Sequence, residues 1–376
     1  MQDGMKDGTD LGNLAEQFRR FALGVGRDGA ARYAAIAEGV ASDEALLALV
    51  AGAPPDQRRP NILLAAVHFL LLSGIDDPLA AHYPTVLAWR GEDPAGARPE
   101  HADPFGAFAA FCVRHREAVA QLVATRATQT NEVGRCRAIL PALSTVAARA
   151  GAPVGVVELG AAAGLNLLFD RYGYDFDGVP SGDTSSPVQL RCEVREGRPP
   201  TALPPVAARV GLDRRPVDVR DDDQARWLLA CQWPDHLDRF EIARQALAVS
   251  RSVADPPVLR RGDAVADLAS VVAEVPGDAH LCVLHTWVAA YLTPEDQRAL
   301  CDAVAAVAST RPVSWLFAEA PYEVPGLPVP PPPGGRVRGA TALVLVEESP
   351  GAARVARRLA DVHAHGRWLH WYGDGH

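Results

Sequence analysis

"VVELGAAAGLNLLFDRY", Val156–Tyr172, sets an acidic residue and two glycines between an apolar run and a helix-like segment. The run Val154–Leu159 reads as a buried strand, Gly160 to Gly164 as a turn, and Leu165 onward as the start of a helix. Glycine permits positive φ and lets a ligand approach the backbone. The first N–H groups of a following helix attract carboxylate or phosphate. The stretch is therefore either the ligand-holding turn of a nucleotide-type fold or a tight strand-to-helix connection. What surrounds it decides between the two.

Downstream, short β-rich runs alternate with helical stretches: Val206–Leu212, Val258–Arg261, Leu281–Leu284, Val313–Ala318, Ala342–Glu347 and Arg367–Tyr372. Such alternation predicts parallel βαβ units and an α/β sheet covered on both faces. Upstream, residues 11–150 carry helical spacing almost throughout, as in "LAEQFRRFALGVG" and "SDEALLALVAGAPP". The expected organisation is an all-helical cap domain over 1–150 and an α/β domain over 151–376. Two insertions interrupt the second domain, Gly173–Pro205 with a possible strand at "VQLRCEV", and the proline-rich Pro321–Gly339. A long loop of the latter kind reads as a lid or as a surface excursion.

Several runs end in a polar residue: Asp213, then Asp263 in "GDA", His285 and Glu319. In open α/β sheets, ligands bind along the carboxyl ends of the strands. The formal net charge of −9 excludes a broad basic grip on nucleic acid. Lys6 is the only lysine, as GC-rich coding would produce. The six cysteines are scattered without a C-x-x-C pair, which fits reduced thiols and no zinc ribbon. The opening "MQDGMKDGTD" lacks the apolar core of a signal peptide, and "ILLAAVHFLLL" is too short for a membrane span. A cytoplasmic protein without membrane contact is expected.

From Val154 to His376 the order of these segments resembles the Rossmann-like S-adenosylmethionine-dependent methyltransferase superfamily. Glu158, Gly160 and Gly164 match its acidic-x-Gly-x-Gly-x-Gly turn, with Ala162 in the middle glycine position. The resemblance implies that this turn meets the amino-acid part of the cofactor and that Asp213 holds the ribose. It also implies that Asp263, with Ala264, meets the adenine. Asp175 and Asp177 stand nearer the family's usual spacing for the ribose acid, but no apolar strand precedes them. "TALVLVEE" and "GRWLHWY" resemble the closing hairpin of that mostly parallel sheet, whose last strand is antiparallel. "HTW" replaces the Asn/Asp-Pro-Pro-Tyr signature of enzymes that methylate base or amide nitrogens. Over nearly its full length the chain also resembles an uncharacterised bacterial domain-of-unknown-function family, on "QTNEVGRC", "VELGAAAGLNLLFDRYGYDF" and "LHTWVAAYL".

His285 suits a general base, or a hydrogen-bonded structural role at the end of its strand. Glu319 points to the same edge as a second catalytic candidate, and Tyr322 follows it as a substrate contact. In "QTNEVGR", Asn131 and Arg135 would share a helix face, with Glu132 between them, and suit a carboxylate or carboxamide. A cap docking the helical domain is the other reading. Asn166 would line the pocket mouth. No metal site is expected: "HAHGRWLH" lacks a joining Cys or carboxylate. There is no G-x-S-x-G elbow, Walker A loop or H-E-x-x-H motif. The expected activity is methyl transfer from S-adenosylmethionine to a small-molecule or protein acceptor. The alternatives are a non-catalytic cofactor- or partner-binding protein and a dinucleotide-dependent oxidoreductase.

Overall fold

Val154–Leu159 carries no polar side chain except at Glu158 and is buried at every position, the pattern of a strand covered on both faces. In the computed structural model, which describes residues 4–99, 101–335 and 339–373 with side chains from Leu11 onward, it is strand β1 of an eleven-stranded sheet. The others in chain order are β2 (Gly173–Phe176), β3 (Val179–Gly182), β4 (Gln189–Glu196), β5 (Val206–Asp213) and β6 (Val258–Arg261). There follow β7 (His280–Thr286), β8 (Val313–Glu319), β9 (Thr341–Glu348), β10 (Val355–Val362) and β11 (Trp368–Trp371).

The sheet order is β3-β2-β4-β11-β10-β9-β8-β7-β1-β5-β6. From β6 to β8 all neighbours are parallel; β9, β10 and β11 then alternate antiparallel, and β4 and β2 pair parallel at the far side. The sheet is thus mixed and mostly parallel, as the alternation of segments predicts.

Three stretches differ from expectation. Within 173–205 the possible strand at "VQLRCEV" forms as β4, and two unexpected strands join it: β2 and β3 form a hairpin, and β4 pairs with both β2 and β11. The hairpin turns at Asp177 and Gly178, both at positive φ, an Asp-Gly signal of a primed turn. The expected closing pair of strands is a meander of three, because β10 lies between β9 and β11. "VARRLADV" conceals that strand behind charges, yet Arg358 and Asp361 are buried as an ion pair. Finally, Leu165–Arg171 is a short 3-10 stretch broken at Leu168, and it leads directly into β2.

Two compact units divide the chain: 1–130 with 220–244, and 131–219 with 245–376. The boundary falls at Thr130/Asn131 and not at 150. The physical reason is local. Asn131 bonds the turn after β1, and helix α8 (Cys136–Ala150) lies against β1, β4 and β7. The opposite sheet face, with Val157, Val283, Trp315 and Phe317, packs on α11 (Leu268–Val272) and α12 (Pro294–Ala308).

The helical unit contains α1 (Gly4–Arg27), α2 (Ala31–Val40), α3 (Glu44–Ala51), α4 (Pro60–Leu72), α5 (Pro84–Trp89), α6 (Pro104–Arg114) and α7 (Arg116–Thr125). Residues 220–244 add α9 (Asp222–Ala230) and the beginning of α10 (Leu237–Ser252). Asp221 caps α9 by accepting from the Asp223 and Gln224 N–H groups, as the acid run "RDDDQ" suggests for a helix start. Nearly every residue of α4 is buried, His68 included. Burial lowers the His68 pKa to about 4, so it is a neutral imidazole between the Ala230 and Gln232 carbonyls and Thr85. Among the described residues no helix is long and apolar enough to cross a membrane.

Asp235 holds the added segment in place. Its carboxylate accepts from the Arg32 and Tyr33 N–H groups at the start of α2, which lacks a cap of its own, and pairs with the Arg32 guanidinium at 3.2 Å. Removing one partner of such a pair leaves the other uncompensated, at a cost of about 3 kcal/mol. Asp235→Ala is expected to lower stability by that order in denaturant titration and to open 220–244 to protease. Unchanged stability and cleavage would show that the segment is held by packing alone.

Candidate functional site

Each N–H from Gly160 to Leu165 has an acceptor within the chain. Gly160 and Ala161 donate to the Leu212 carbonyl at 2.8 and 3.4 Å, and Gly164 to that of Ala161 at 2.7 Å. Ala162 donates to Asp213 Oδ2 at 2.8 Å. Ala163 and Leu165 both donate to Asn131 Oδ1, at 3.2 and 3.0 Å. The turn places Gly160, Ala162 and Gly164 at φ of 69°, 50° and 69°. A Cβ on Gly160 would stand 2.5 Å from Val288 Cγ2, and one on Gly164 3.0 Å from Leu259 Cδ2. The glycines fit closely against the chain, and the amides expected to meet a ligand are engaged within it, three by Asn131 and Asp213 and three by the Leu212 and Ala161 carbonyls.

Asn131, Glu132 and Arg135 do not share a helix face. Only Val133–Arg135 forms a helical turn, of the 3-10 kind. While Asn131 caps the turn, Arg135 Nη1 donates to the Thr286 carbonyl at 2.9 Å, at the end of β7, and Nε to that of Ala364 at 3.2 Å. Glu132 lies 3.3 Å from His365 Nδ1 and accepts from the Gly134 N–H. Gly134 fits closely under the β10–β11 connection, where a Cβ on Gly366 would come within 2.1 Å of its carbonyl oxygen. One short segment thus ties together three parts of the sheet unit.

Alternation along the strands divides the polar candidates between two faces. Val157, Leu159, Leu281 and Val283 belong to the α12-side core, so His285 faces α12 and Glu158 faces α8. His285 Nδ1 lies 2.8 Å from Glu319 Oε1, and its ring stacks on Phe317 with centroids 5.4 Å apart. Glu319 Oε1 also accepts from the Val288 and Ala289 N–H groups at 2.8 and 3.0 Å. Both side chains are 0% exposed, and neither His285 Nε2 nor Glu319 Oε2 has a protein partner. Between them in the chain, Trp287 has φ of 56°, a conformation that costs a bulky residue roughly 1–3 kcal/mol.

Glu158 meets Asn166, whose Nδ2 donates to Oε1 at 3.0 Å, and Cys136 Sγ lies 3.5 Å from Asn166 Oδ1. Burial pushes the Glu158 carboxyl up to about 8; Asn166 and Arg135 pull it down, and Asp213 adds to the rise. Asn166, expected at the pocket mouth, is 3% exposed.

Asp213 is half-buried at the end of β5 and accepts from Ala162 and Arg215. Asp263, just beyond β6, accepts from Arg214 at 2.7 Å and from the Val265 and Ala266 N–H groups; the Arg214 hydrogen bond holds its carboxyl below the usual range. Ala264 lies inside that turn, against the α12-side core. Asp175 and Asp177 brace the β2–β3 hairpin and the Val194 N–H, which leaves Asp213 as the strand-end acid beside the turn.

Tyr322 is 75% exposed beyond β8. The loop after it is anchored, with Val324 and Leu327 in the core and the Pro330 carbonyl accepting from Arg358; residues 336–338 of the expected insertion lie outside the described ones. Sequence reasoning missed Gln297, which is buried in the first turns of α12. Its Nε2 reaches the Ala289, Leu292 and Glu323 carbonyls at 3.1, 3.3 and 3.1 Å, and its Oε1 accepts from the Gly326 N–H. A glutamine in an amphipathic helix carries no signal of that role. Among the described residues no group of three or more His, Cys, Asp or Glu is placed to hold a metal ion.

The raised Glu158 pKa carries a sign. Between the unfolded value near 4.5 and the folded value near 8 the native state holds the extra proton, so stability falls as pH rises through that window. The slope is about 1.4 kcal/mol per pH unit. Glu158→Gln is expected to flatten this fall in unfolding measured from pH 5 to 8, and equal slopes in both proteins would refute the assignment.

No curated protein and no solved structure matches the chain. A family profile described as "Uncharacterized protein conserved in bacteria (DUF2332)" matches residues 15–371. The match takes in both units and every candidate residue above, so the chain belongs to this bacterial family.

Proposed function

We propose that the sheet unit is a Rossmann-like S-adenosylmethionine-dependent methyltransferase acting on a small-molecule or protein acceptor. The observation that carries the reading is the parallel run β6-β5-β1-β7-β8, flanked by antiparallel β9, with acids at or just beyond the carboxyl ends of three adjacent strands. These are Glu158, Asp213 and Asp263. Asp213 suits the ribose: a carboxylate accepts up to about four hydrogen bonds, so it can serve the turn and two hydroxyls together. Asp263 stands on the same edge, but it already accepts from Arg214 and from the Val265 and Ala266 N–H groups, so an exocyclic amine there would replace Arg214. The amino-acid end fits less well, since the turn amides are occupied and offer nothing to a carboxylate.

S-adenosylmethionine, when bound, supplies a methyl group on a sulfonium leaving group. The chain's own task is then to align the acceptor and exclude water. With its proton on Nδ1, His285 donates to Glu319 Oε1 and presents Nε2 as the basic atom. That atom is buried, so it exchanges a proton with an acceptor only if the turn after β7 moves. The occupied amides also weigh against a dinucleotide, whose pyrophosphate needs them.

Complete burial of His285 and Glu319 favours a second reading, a cofactor-binding protein without turnover. The test is thermal unfolding with S-adenosylmethionine, S-adenosylhomocysteine, NAD and NADP, for wild type and Asp213→Asn. At ~100 times its dissociation constant a ligand adds roughly 2.7 kcal/mol of stability, a shift of a few degrees. The proposal expects a shift with the two adenosyl compounds only, diminished in Asp213→Asn. If neither compound raises the midpoint, the reading fails. If both do, release of S-adenosylhomocysteine with candidate acceptors separates enzyme from binder.

A further inference from the structure

The chain between β7 and α12 is fixed at both ends. Arg135 Nη1 holds Thr286 by its carbonyl and its hydroxyl, at 2.9 and 3.2 Å, and Thr293 caps α12 by accepting from the Asp296 N–H at 3.1 Å. Residues 287–292 span the two anchors and lie against the buried pair of His285 and Glu319. One oxygen shows this: Glu319 Oε1 meets His285 Nδ1 and also accepts from the Val288 and Ala289 N–H groups. From the other side Gln297 Nε2 reaches the Ala289 and Leu292 carbonyls at 3.1 and 3.3 Å. Val288 leans on Gly160, the first glycine of the turn after β1.

This closed arrangement carries opposing terms. Against it stand Trp287 at φ of 56° and three buried polar atoms without a protein partner: His285 Nε2, Glu319 Oε2 and the Trp287 indole nitrogen. Movement of the segment relaxes the backbone at Trp287 and gives His285 and Glu319 access to solvent. In its favour stand the hydrogen bonds to Glu319 and Gln297 and the burial of Ala289, with Leu292 packed beside it. The apolar area at stake is small, since Ala289 is the only fully buried side chain among 287–292. A segment held mainly by hydrogen bonds over desolvated groups is placed to open without unfolding the sheet.

We propose that residues 287–292 are a hinged cover, with Trp287 the hinge and Gln297 the latch, whose opening bares His285 Nε2 and withdraws Val288 from Gly160. The use of that movement, admitting an acceptor to the basic nitrogen, rests on the methyltransferase reading; the movement itself needs no cofactor and is measured without one. Native-state amide exchange of the full chain at increasing low denaturant is the first readout. The N–H groups of Trp287, Val288, Ala289 and Leu292 all have acceptors, so each exchanges only when its bond opens. They should exchange on the order of 100-fold faster than the amides of β1 and β8, at a rate independent of denaturant. The second readout is acylation of His285 by diethylpyrocarbonate, located by peptide mass mapping. His285 is 0% exposed, so its modification reports the open state. Gln297→Leu should raise both rates roughly tenfold.

Amides of 287–292 that exchange with the rate and denaturant dependence of β1 would overturn the proposal, because the segment would then open only with the whole unit. Fast exchange beside a His285 modified no faster than the protein unfolds would overturn it too, since the movement would not reach the imidazole. A folded Gln297→Leu protein with both rates unchanged removes the latch. If that variant does not fold, the two wild-type rates still decide. An opening cover beside no adenosyl-induced shift removes the methyltransferase reading alone; a shift beside a segment that never opens removes the cover alone.

Discussion

A chain that reverses direction at the end of a buried strand brings polar backbone with it, and buried N–H groups without acceptors are costly. After β1 that cost falls on the residues from Gly160 to Leu165. The carboxamide of Asn131 takes two of these groups, the carboxylate of Asp213 a third, the Leu212 carbonyl of β5 two more and the Ala161 carbonyl within the turn the last. Because Asn131 stands at the start of the sheet unit, the same contact sets where α8 begins and how Arg135 reaches the end of β7. Without it, two donors would face an interior of Ala161, Ala163 and Leu165.

The loops after β7 and β8 are held by a second network of the same kind. Trp287 is held at positive φ, its strain balanced by the Ala318 carbonyl and by the Glu319 carboxylate that collects the two following N–H groups. Gln297 then binds this loop to the next one. Strain retained against such a network is the usual mark of a backbone shaped for something beyond folding.

Much of this architecture was legible from residues alone. The apolar run at Val154, the runs ending at Asp213 and His285, and the helical spacing over 11–150 each follow from periodicity; strands form at these runs and helices through most of 11–150. The strands on the β3 side of the sheet were less legible for a definite reason. β10 hides its inward charges as the Arg358–Asp361 pair, so its pattern reads as a surface segment, and β2 and β3 are too short to show an alternation. The site was legible only as a row of polar strand ends. Period-2 alternation contains the rest, that Glu158 and His285 must face opposite sides, but only once the register Leu159↔His285 is known. Asn131 and Arg135 misled because a spacing of four implies a shared face only on a helix, and "TNEVG" is no helix former.

The acids of the carboxyl edge are chemically unequal, and environment alone separates them. Glu158, enclosed on the α8 face with a single amide donor, keeps its proton to about 8. Asp263, partly open and bonded to Arg214, is held below the ordinary range. The difference follows from solvent access: Glu158 is 2% exposed and has one hydrogen-bond donor, Asn166, whereas Asp263 accepts from the Arg214 guanidinium and from two turn amides. Two acids of one sheet edge thus hold opposite charge states because one side of the sheet is closed over by α8 and the other ends in an open turn.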